Sequence, residues 1–131
     1  MSDRQNIASG TIWEDIAGFS RAVRIGSVIH VSGTTATDDQ GNIVGIGDPY
    51  QQTAYIIKKI ERALKEAGAT LNNVVRTRIY VTDVSQWEAV ARAHGEFFAS
   101  IRPANTLIEV SALVGEGYLV EMEAEAVIQP S

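Results

Sequence analysis

The sequence contains no cysteine, and this absence excludes several kinds of site at once. Without thiols the chain can form no disulfide framework, no thiolate zinc site and no cysteine nucleophile. It has only three prolines, and 45% of its residues are hydrophobic against 21% charged. These proportions are close to the globular average and too apolar for a disordered segment. From the length of 131 residues we expect a single domain over residues 1–131.

Positive charge is also scarce. The chain has 11 Lys and Arg against 16 Asp and Glu, which gives a net charge of −5. Because phosphate backbones and anionic membranes attract clustered cations, we expect neither nucleic acid nor a membrane as a partner. No apolar run approaches the roughly 20 residues of a membrane span, and residues 1–4 open no signal peptide. We therefore expect a cytoplasmic location.

The common catalytic and metal-binding motifs are missing. There is no P-loop, no G-x-S-x-G elbow and no H-E-x-x-H zinc motif in the sequence. The turn at Asp38 has its glycine one place too early for a calcium loop. We therefore expect no metal and no cofactor. The simplest interpretation of the two isolated histidines is a structural one, with His94 on a helix at the edge of the core and His30 on a strand.

Two segments have the hydrophobic period of a helix. The first begins with Asp48 as N-cap and Pro49 at the first helical position, and it ends at Gly68. The second begins with a capping box of Ser85 and Glu88 and runs as far as residue 102. The apolar stripe of the first helix consists of Ala54, Ile57, Ile60, Leu64 and Ala67, and its solvent face consists of Lys58, Lys59, Glu61, Arg62 and Lys65. The apolar stripe of the second helix consists of Trp87, Val90, Ala91, His94, Phe97 and Phe98.

The remaining segments read as strands, predicted at residues 20–25, 28–35, 74–81, 106–113 and 118–127. The last alternates most clearly, with apolar residues facing one way and three glutamates, Glu121, Glu123 and Glu125, facing the other. The order predicts an α+β two-layer sandwich, in which a mixed sheet carries two helices on one face. The opposite face would stay uncovered, so we expect an oligomer that buries it, with Val110, Ala112, Met122 and Ala124 on that face.

The C-terminal third carries the most specific pattern. Pro103-Ala104, a strand, and then the apolar-Glu-apolar step around Glu121 resemble the signature of the Rid family, also called YjgF/YER057c/UK114. The resemblance extends to residues 17–20, 31–34 and 75–83 and to Phe97-Phe98. It implies a chorismate-mutase-like fold and a homotrimer with the sheets inside and three clefts between subunits. It also implies cofactor-free hydrolysis of 2-imino acids, with release of ammonia.

Three positions depart from the family pattern at the expected substrate site. Asn105 stands where the imine-deaminating members have the arginine that binds the substrate carboxylate with two charge-assisted bonds. An amide cannot neutralise a desolvated carboxylate. Phe19 replaces a tyrosine that lines the cleft, and Ala91 replaces an asparagine on the second helix. Arg21, Arg24 or Arg102 could supply a substitute cation, but the sequence places none of them in the cleft.

Glu121 is retained, and the resemblance implies that it holds the water that attacks the imine. It could equally form a structural pair with Arg76 or Arg78 on another strand. Ser32, Gly33 and Thr34 end a strand and could present backbone N–H groups to an anion. We therefore assign Glu121 as the candidate catalytic residue, and we expect the substrate site to include Asn105, Phe19, Ala91 and residues 32–34.

Three functions fit these residues. The first is a Rid-type hydrolase or deaminase for a small imine, enamine or amide-type substrate, in which Asn105 binds a carbonyl and 2-imino acid turnover is reduced or absent. The second is a non-catalytic trimer that binds a small molecule in the same clefts. The third is a protein-binding, chaperone-like trimer.

Overall fold

Six strands form a single mixed sheet in the computed structural model, which describes residues 4–130. Along the chain the elements are β1 (Arg4–Ile7), α1 (Ile12–Ala17), β2 (Ala22–Ile25), β3 (Val28–Thr35), α2 (Pro49–Glu66), β4 (Val74–Val81), α3 (Trp87–Phe98), β5 (Ala104–Glu109) and β6 (Val120–Val127). Short 3-10 turns at Leu71–Asn73 and Val84–Gln86 precede β4 and α3. The strand order is β1-β2-β3-β6-β4-β5, and only β4 and β5 are parallel.

The core lies between one face of this sheet and the helices α2 and α3. The apolar residues of β6 alternate with its glutamates, so Val120, Met122, Ala124 and Ala126 are buried against α2 while the glutamates stay half-exposed. The largest buried side chains are Ile29, Ile56, Ile57, Ile60, Leu64, Ile79 and Met122. The α+β two-layer prediction is therefore confirmed. No helix in residues 4–130 combines the length and the apolar character needed to span a membrane.

The prediction that Met122 and Ala124 lie on the uncovered sheet face is wrong. Both are buried beneath the helices, because the helices must cover the apolar side of β6 to stabilise the fold. The open face instead carries half-buried polar side chains, among them Arg76, Arg78 and Tyr80. Val110 and Ala112 lie beyond the end of β5.

Of the two predicted helix starts, that of α2 is correct and that of α3 is not. Asp48 caps α2, and its carboxylate accepts a hydrogen bond from the Gln51 N–H at 3.0 Å. The capping box of Ser85 and Glu88 is wrong, because Asp83 caps the 3-10 turn by accepting from the Ser85 N–H and hydroxyl. Helix α3 then begins from Gln86, which makes no side-chain cap.

Two strand predictions match their elements residue for residue, and two short elements were not predicted. β3 and β4 have the predicted ends, whereas β5 starts and ends earlier than expected. Val75 was expected to share a face with Thr77, but a register shift between Val74 and Arg76 leaves it exposed. β1 and α1 are too short to show a clear hydrophobic period.

Candidate functional site

A cavity of about 250 Å³ lies where β3 ends beside the start of β6. It brings together three of the predicted site residues, Phe19, Gly33 and Glu121. The rest of the lining comprises apolar residues (Trp13, Ile16, Ala17 and Val114) and polar or charged ones (Thr11, Arg21, Thr35, Thr37 and Lys59). A wall of exposed apolar side chains around a few polar groups is typical of a small-molecule site.

A bulge in β3 shapes this cavity. The pairing of β3 with β6 shifts register between Val31 and Thr34, so Ser32 and Gly33 occupy the bulge. A Cβ on Gly33 would lie 2.1 Å from Oε2 of Glu121. Only glycine therefore leaves room for the Glu121 carboxylate in this position.

Glu121 differs from the other two glutamates of β6. Glu123 and Glu125 lie 3.0 and 3.1 Å from Nη1 of Arg78, and Glu125 is also 3.8 Å from Nε of Arg76. Glu121 has no ion pair or hydrogen bond with any side chain of residues 4–130. The structural role considered for Glu121 is therefore filled by its neighbours.

The surroundings of Glu121 in the cavity change the pKa of its carboxyl group. Burial raises the pKa of Glu121 above its ordinary value, while the charge of Arg21 acts in the opposite direction. The charge of Glu123 adds to the upward shift. A carboxylate with a raised pKa is a stronger base than an exposed one, so Glu121 is suited to accept a proton from water.

The guanidinium of Arg21 holds the bulge from the buried side. It donates to the Gly33 carbonyl at 2.6 Å and to the Thr34 hydroxyl at 3.0 Å, and it lies 3.6 Å from the Glu14 carboxylate. Thr34 is itself buried and belongs to this internal network. The N–H of Ser32 donates to the Arg21 carbonyl at 2.9 Å. The backbone donor expected from Ser32 is therefore already engaged inside the fold.

Lys59 was predicted on the solvent face of its helix but is half-buried at this cavity. Its Nζ donates to the Thr35 carbonyl at 2.7 Å. Burial lowers the pKa of Lys59 to about 8, and the positive charges of Arg21 and Arg62 act in the same direction. The residue also lines a second cavity of about 440 Å³, which lies between α2 and residues 7–13.

Asn105 is not part of this cavity in a single subunit. It lies on β5, which β4 separates from β6, and standard strand geometry puts it about 14 Å from Glu121. Its Nδ2 donates to the Thr77 hydroxyl at 2.9 Å and to the Thr77 carbonyl at 3.5 Å, which leaves Oδ1 as the polar atom it can offer to a ligand. In this orientation Asn105 offers a ligand N–H an acceptor, whereas the predicted binding of a carbonyl would need one of its own N–H donors. Ala91 is exposed on α3 and also lies outside the cavity.

His94 has the structural position predicted for it. Its Nε2 lies within hydrogen-bond distance of the Thr77 hydroxyl, at 2.8 Å, and the same oxygen accepts a hydrogen bond from Asn105 Nδ2. Burial lowers the pKa of His94, which favours the neutral ring.

Comparison with known proteins identifies the fold and the family. The sequence model of a family described as Endoribonuclease L-PSP matches residues 11–128. The chain belongs to this family, which is the YjgF/YER057c/UK114 or Rid family. It is 39% identical to the Streptomyces coelicolor protein SCO2049 over 93% of this chain and 90% of that one. A RutC family protein of Pyrococcus abyssi is 35% identical over 85% of this chain and 87% of its own length.

A solved structure supports the same assignment. Rv2704 of Mycobacterium tuberculosis, described as a member of the YjgF/YER057c/UK114 family, superposes with a TM-score of 0.87 and 46% identity. The match covers 95% of this chain and 99% of that one. The resemblance to the Rid family and its fold is therefore confirmed.

The cavity of about 250 Å³ that contains Glu121 is called the Glu121 cavity below. Of the three arginines considered as substitute cations in this Rid-family chain, only Arg21 lines it. Arg24 instead binds the carbonyls of Gly26 and Ala67, and Arg102 is exposed at a left-handed turn with φ 57°. Sequence reasoning did not identify Lys59, because its spacing matched the charged face of α2.

The close contact between Gly33 and Glu121 generates a prediction. We expect Gly33→Ala to displace the Glu121 carboxylate toward solvent and so lower its pKa toward the ordinary value. Carbon-13 NMR titration of the Glu121 carboxyl measures this change. Gly95→Ala is the matched control, because a Cβ there meets nothing within 4 Å. An unchanged Glu121 titration in Gly33→Ala would contradict the packing described.

Proposed function

We propose that this protein is a cofactor-free hydrolase or deaminase of the Rid type, acting on a small imine, enamine or amide-type substrate. One observation carries the proposal: Glu121 alone among the glutamates of β6 has no arginine partner and lies against Gly33 in a cavity with apolar walls. A carboxylate that forms no direct ion pair and has a raised pKa is free to work as a base.

The chemistry needs only placement and an oriented water. Glu121 takes a proton from water as the water oxygen bonds to the C=N carbon, and it passes that proton to the nitrogen. The resulting carbinolamine gives its hydroxyl proton, through Glu121, to the nitrogen, so that the C–N bond breaks, ammonia leaves and a carbonyl remains. Because imines hydrolyse readily in water, the protein need contribute only substrate placement and the orientation of that water. The apolar walls of Trp13, Phe19 and Val114 would limit access of other water molecules.

The complete site in this proposal forms between subunits of a homotrimer. Asn105 lies away from Glu121 in its own subunit, so a neighbouring subunit is needed to bring the two together. Exposed apolar side chains surround the cavity and would be covered by that neighbour; they are Ile12 66%, Trp13 42%, Ile16 74%, Phe19 36% and Val114 72% exposed. The family resemblance implies the same arrangement.

Asn105 argues for a substrate without the usual carboxylate at that end of the site. Its Oδ1 can accept a hydrogen bond from an amide or enamine N–H, but it offers no positive charge. The net charge of −5 supports a small molecule rather than RNA as the ligand, although the family description includes the word endoribonuclease. If no turnover exists, the loss of the arginine favours a non-catalytic binding protein instead.

A matched pair of glutamate variants tests the catalytic role. We expect Glu121→Gln to lower ammonia release from an imine or enamine by about 100-fold or more, because general-base catalysis contributes that much. Glu125→Gln changes the same residue type on the same face of β6, but it removes a partner of Arg76 and Arg78. It should therefore retain activity. Equal activity in both variants would assign Glu121 a structural role.

The molar mass of the protein in solution tests whether it forms a trimer. Light scattering at micromolar concentration should give about three times the 14.2 kDa of the chain. A monomer would contradict both the trimer and the site between subunits.

Restoring the arginine tests whether the rest of the site is intact. We expect Asn105→Arg to tighten 2-ketobutyrate binding by about tenfold, the difference between a neutral and a charge-assisted pair of bonds. Asn72→Arg, at an exposed position of the 3-10 turn before β4, is the control for added charge. Calorimetry measures both. No gain for Asn105→Arg would mean that Phe19 or the neighbouring loops have reshaped the site.

A further inference from the structure

Lys59 is the one positive group of the Glu121 cavity that lacks a counter-charge among residues 4–130. Its Nζ has a single neutral acceptor, the Thr35 carbonyl at 2.7 Å. No carboxylate of the described chain lies within ion-pair distance of it. The amine reaches this position because its helix packs on β3, so that the side chain extends to the end of that strand.

The other cations near Lys59 are already balanced. Arg21 lies 3.6 Å from Glu14, and its Nε and Nη1 donate to Ser9, Gly33 and Thr34. Arg62 lies 3.6 Å from Asp39 at the surface. The charged and titratable groups that face Lys59 across its two cavities are Glu14, Arg21, Asp38, Asp39, Arg62, Glu66, Tyr118 and Glu121. Lys59 is therefore the available positive charge at this site.

A half-buried ammonium without a counter-charge is energetically unfavourable, and a bound anion would stabilise it. Removing a charge from water costs free energy unless a counter-charge replaces the lost hydration. With a pKa of about 8, Lys59 is still mainly protonated at pH 7. A cavity of about 250 Å³ admits only a small ligand.

We propose that Lys59 binds the carboxylate of a small anionic ligand in the Glu121 cavity. It would supply the positive charge that Asn105 cannot provide. Lys59 lies on α2 beside the end of β3, whereas Asn105 lies on β5, so the charge would come from a different side of the site. A carboxylate held there does not occupy the position that an arginine at residue 105 would define. The substrate class is then a small carboxylic acid whose reactive group is placed differently from that of a 2-imino acid. The inference rests on the proposed function only in placing this ligand beside Glu121.

Calorimetry with a charged and a neutral ligand of the same shape tests the inference. The probes are 2-ketobutyrate and its neutral amide, 2-ketobutyramide. The wild-type protein should bind the carboxylate more tightly than the amide, and Lys59→Met should weaken carboxylate binding about tenfold while leaving amide binding unchanged. Lys59→Arg should retain the preference. Lys58→Met, at the exposed neighbouring position, should behave as wild type.

The pH dependence provides a readout that needs no variant. The charged form of Lys59 binds the anion, so carboxylate affinity should fall above about pH 8 as the amine loses its proton. Conversely, NMR titration should show that 2-ketobutyrate raises the Lys59 pKa. Amide affinity should not follow this profile.

Three results would overturn the inference. They are no preference for the carboxylate in the wild-type protein, an unchanged preference in Lys59→Met, and covalent trapping of 2-ketobutyrate on Lys59 by borohydride, which would indicate an imine and not an ion pair. Glu121→Gln separates the inference from the proposed function. That variant should keep the Lys59-dependent preference whether or not the protein turns over a substrate.

Discussion

The buried guanidinium of Arg21 is the interaction on which the rest of the site depends. A positive charge in the interior needs a carboxylate and several acceptors, and Glu14, the Gly33 carbonyl and the Thr34 hydroxyl supply them. These bonds join α1 to the bulge of β3, and the bulge places Gly33 against the Glu121 carboxylate. One buried charge thereby positions α1, the bulge of β3 and, through Gly33, the candidate base Glu121.

The parts of the fold that could be predicted are the segments in which apolar residues recur at a regular spacing over many residues. The start of α2, both ends of β4 and the alternation of β6 follow from spacing that few other conformations satisfy. The choice of the covered face of β6 was wrong, because alternation separates two sets of residues without saying which set meets the helices. Ser85 was misread as a cap because Asp83, two residues earlier, accepts hydrogen bonds from the N–H and the hydroxyl of Ser85 and caps the turn before α3.

The candidate site was predictable in type but not in arrangement. The sequence pointed to Glu121 through the family resemblance, but three equivalent glutamates on one face cannot reveal which of them meets an arginine. Lys59 could not be identified as a cavity residue, since its side chain reaches the cavity through a contact with Thr35 at the end of β3, which is distant in sequence. Asn105 shows the same limit, because only the pairing of β4 with β5 orients its amide toward Thr77.

The central position of β6 has a consequence for how the protein is made. β1, β2 and β3 can pair as soon as they leave the ribosome, and β4 can pair with β5, but only β6 joins these two half-sheets. Until β6 emerges, β3 and β4 each expose an unpaired edge, a state that favours aggregation between nascent chains. The same strand carries Glu121, so a polypeptide interrupted before residue 120 has neither a continuous sheet nor its candidate base.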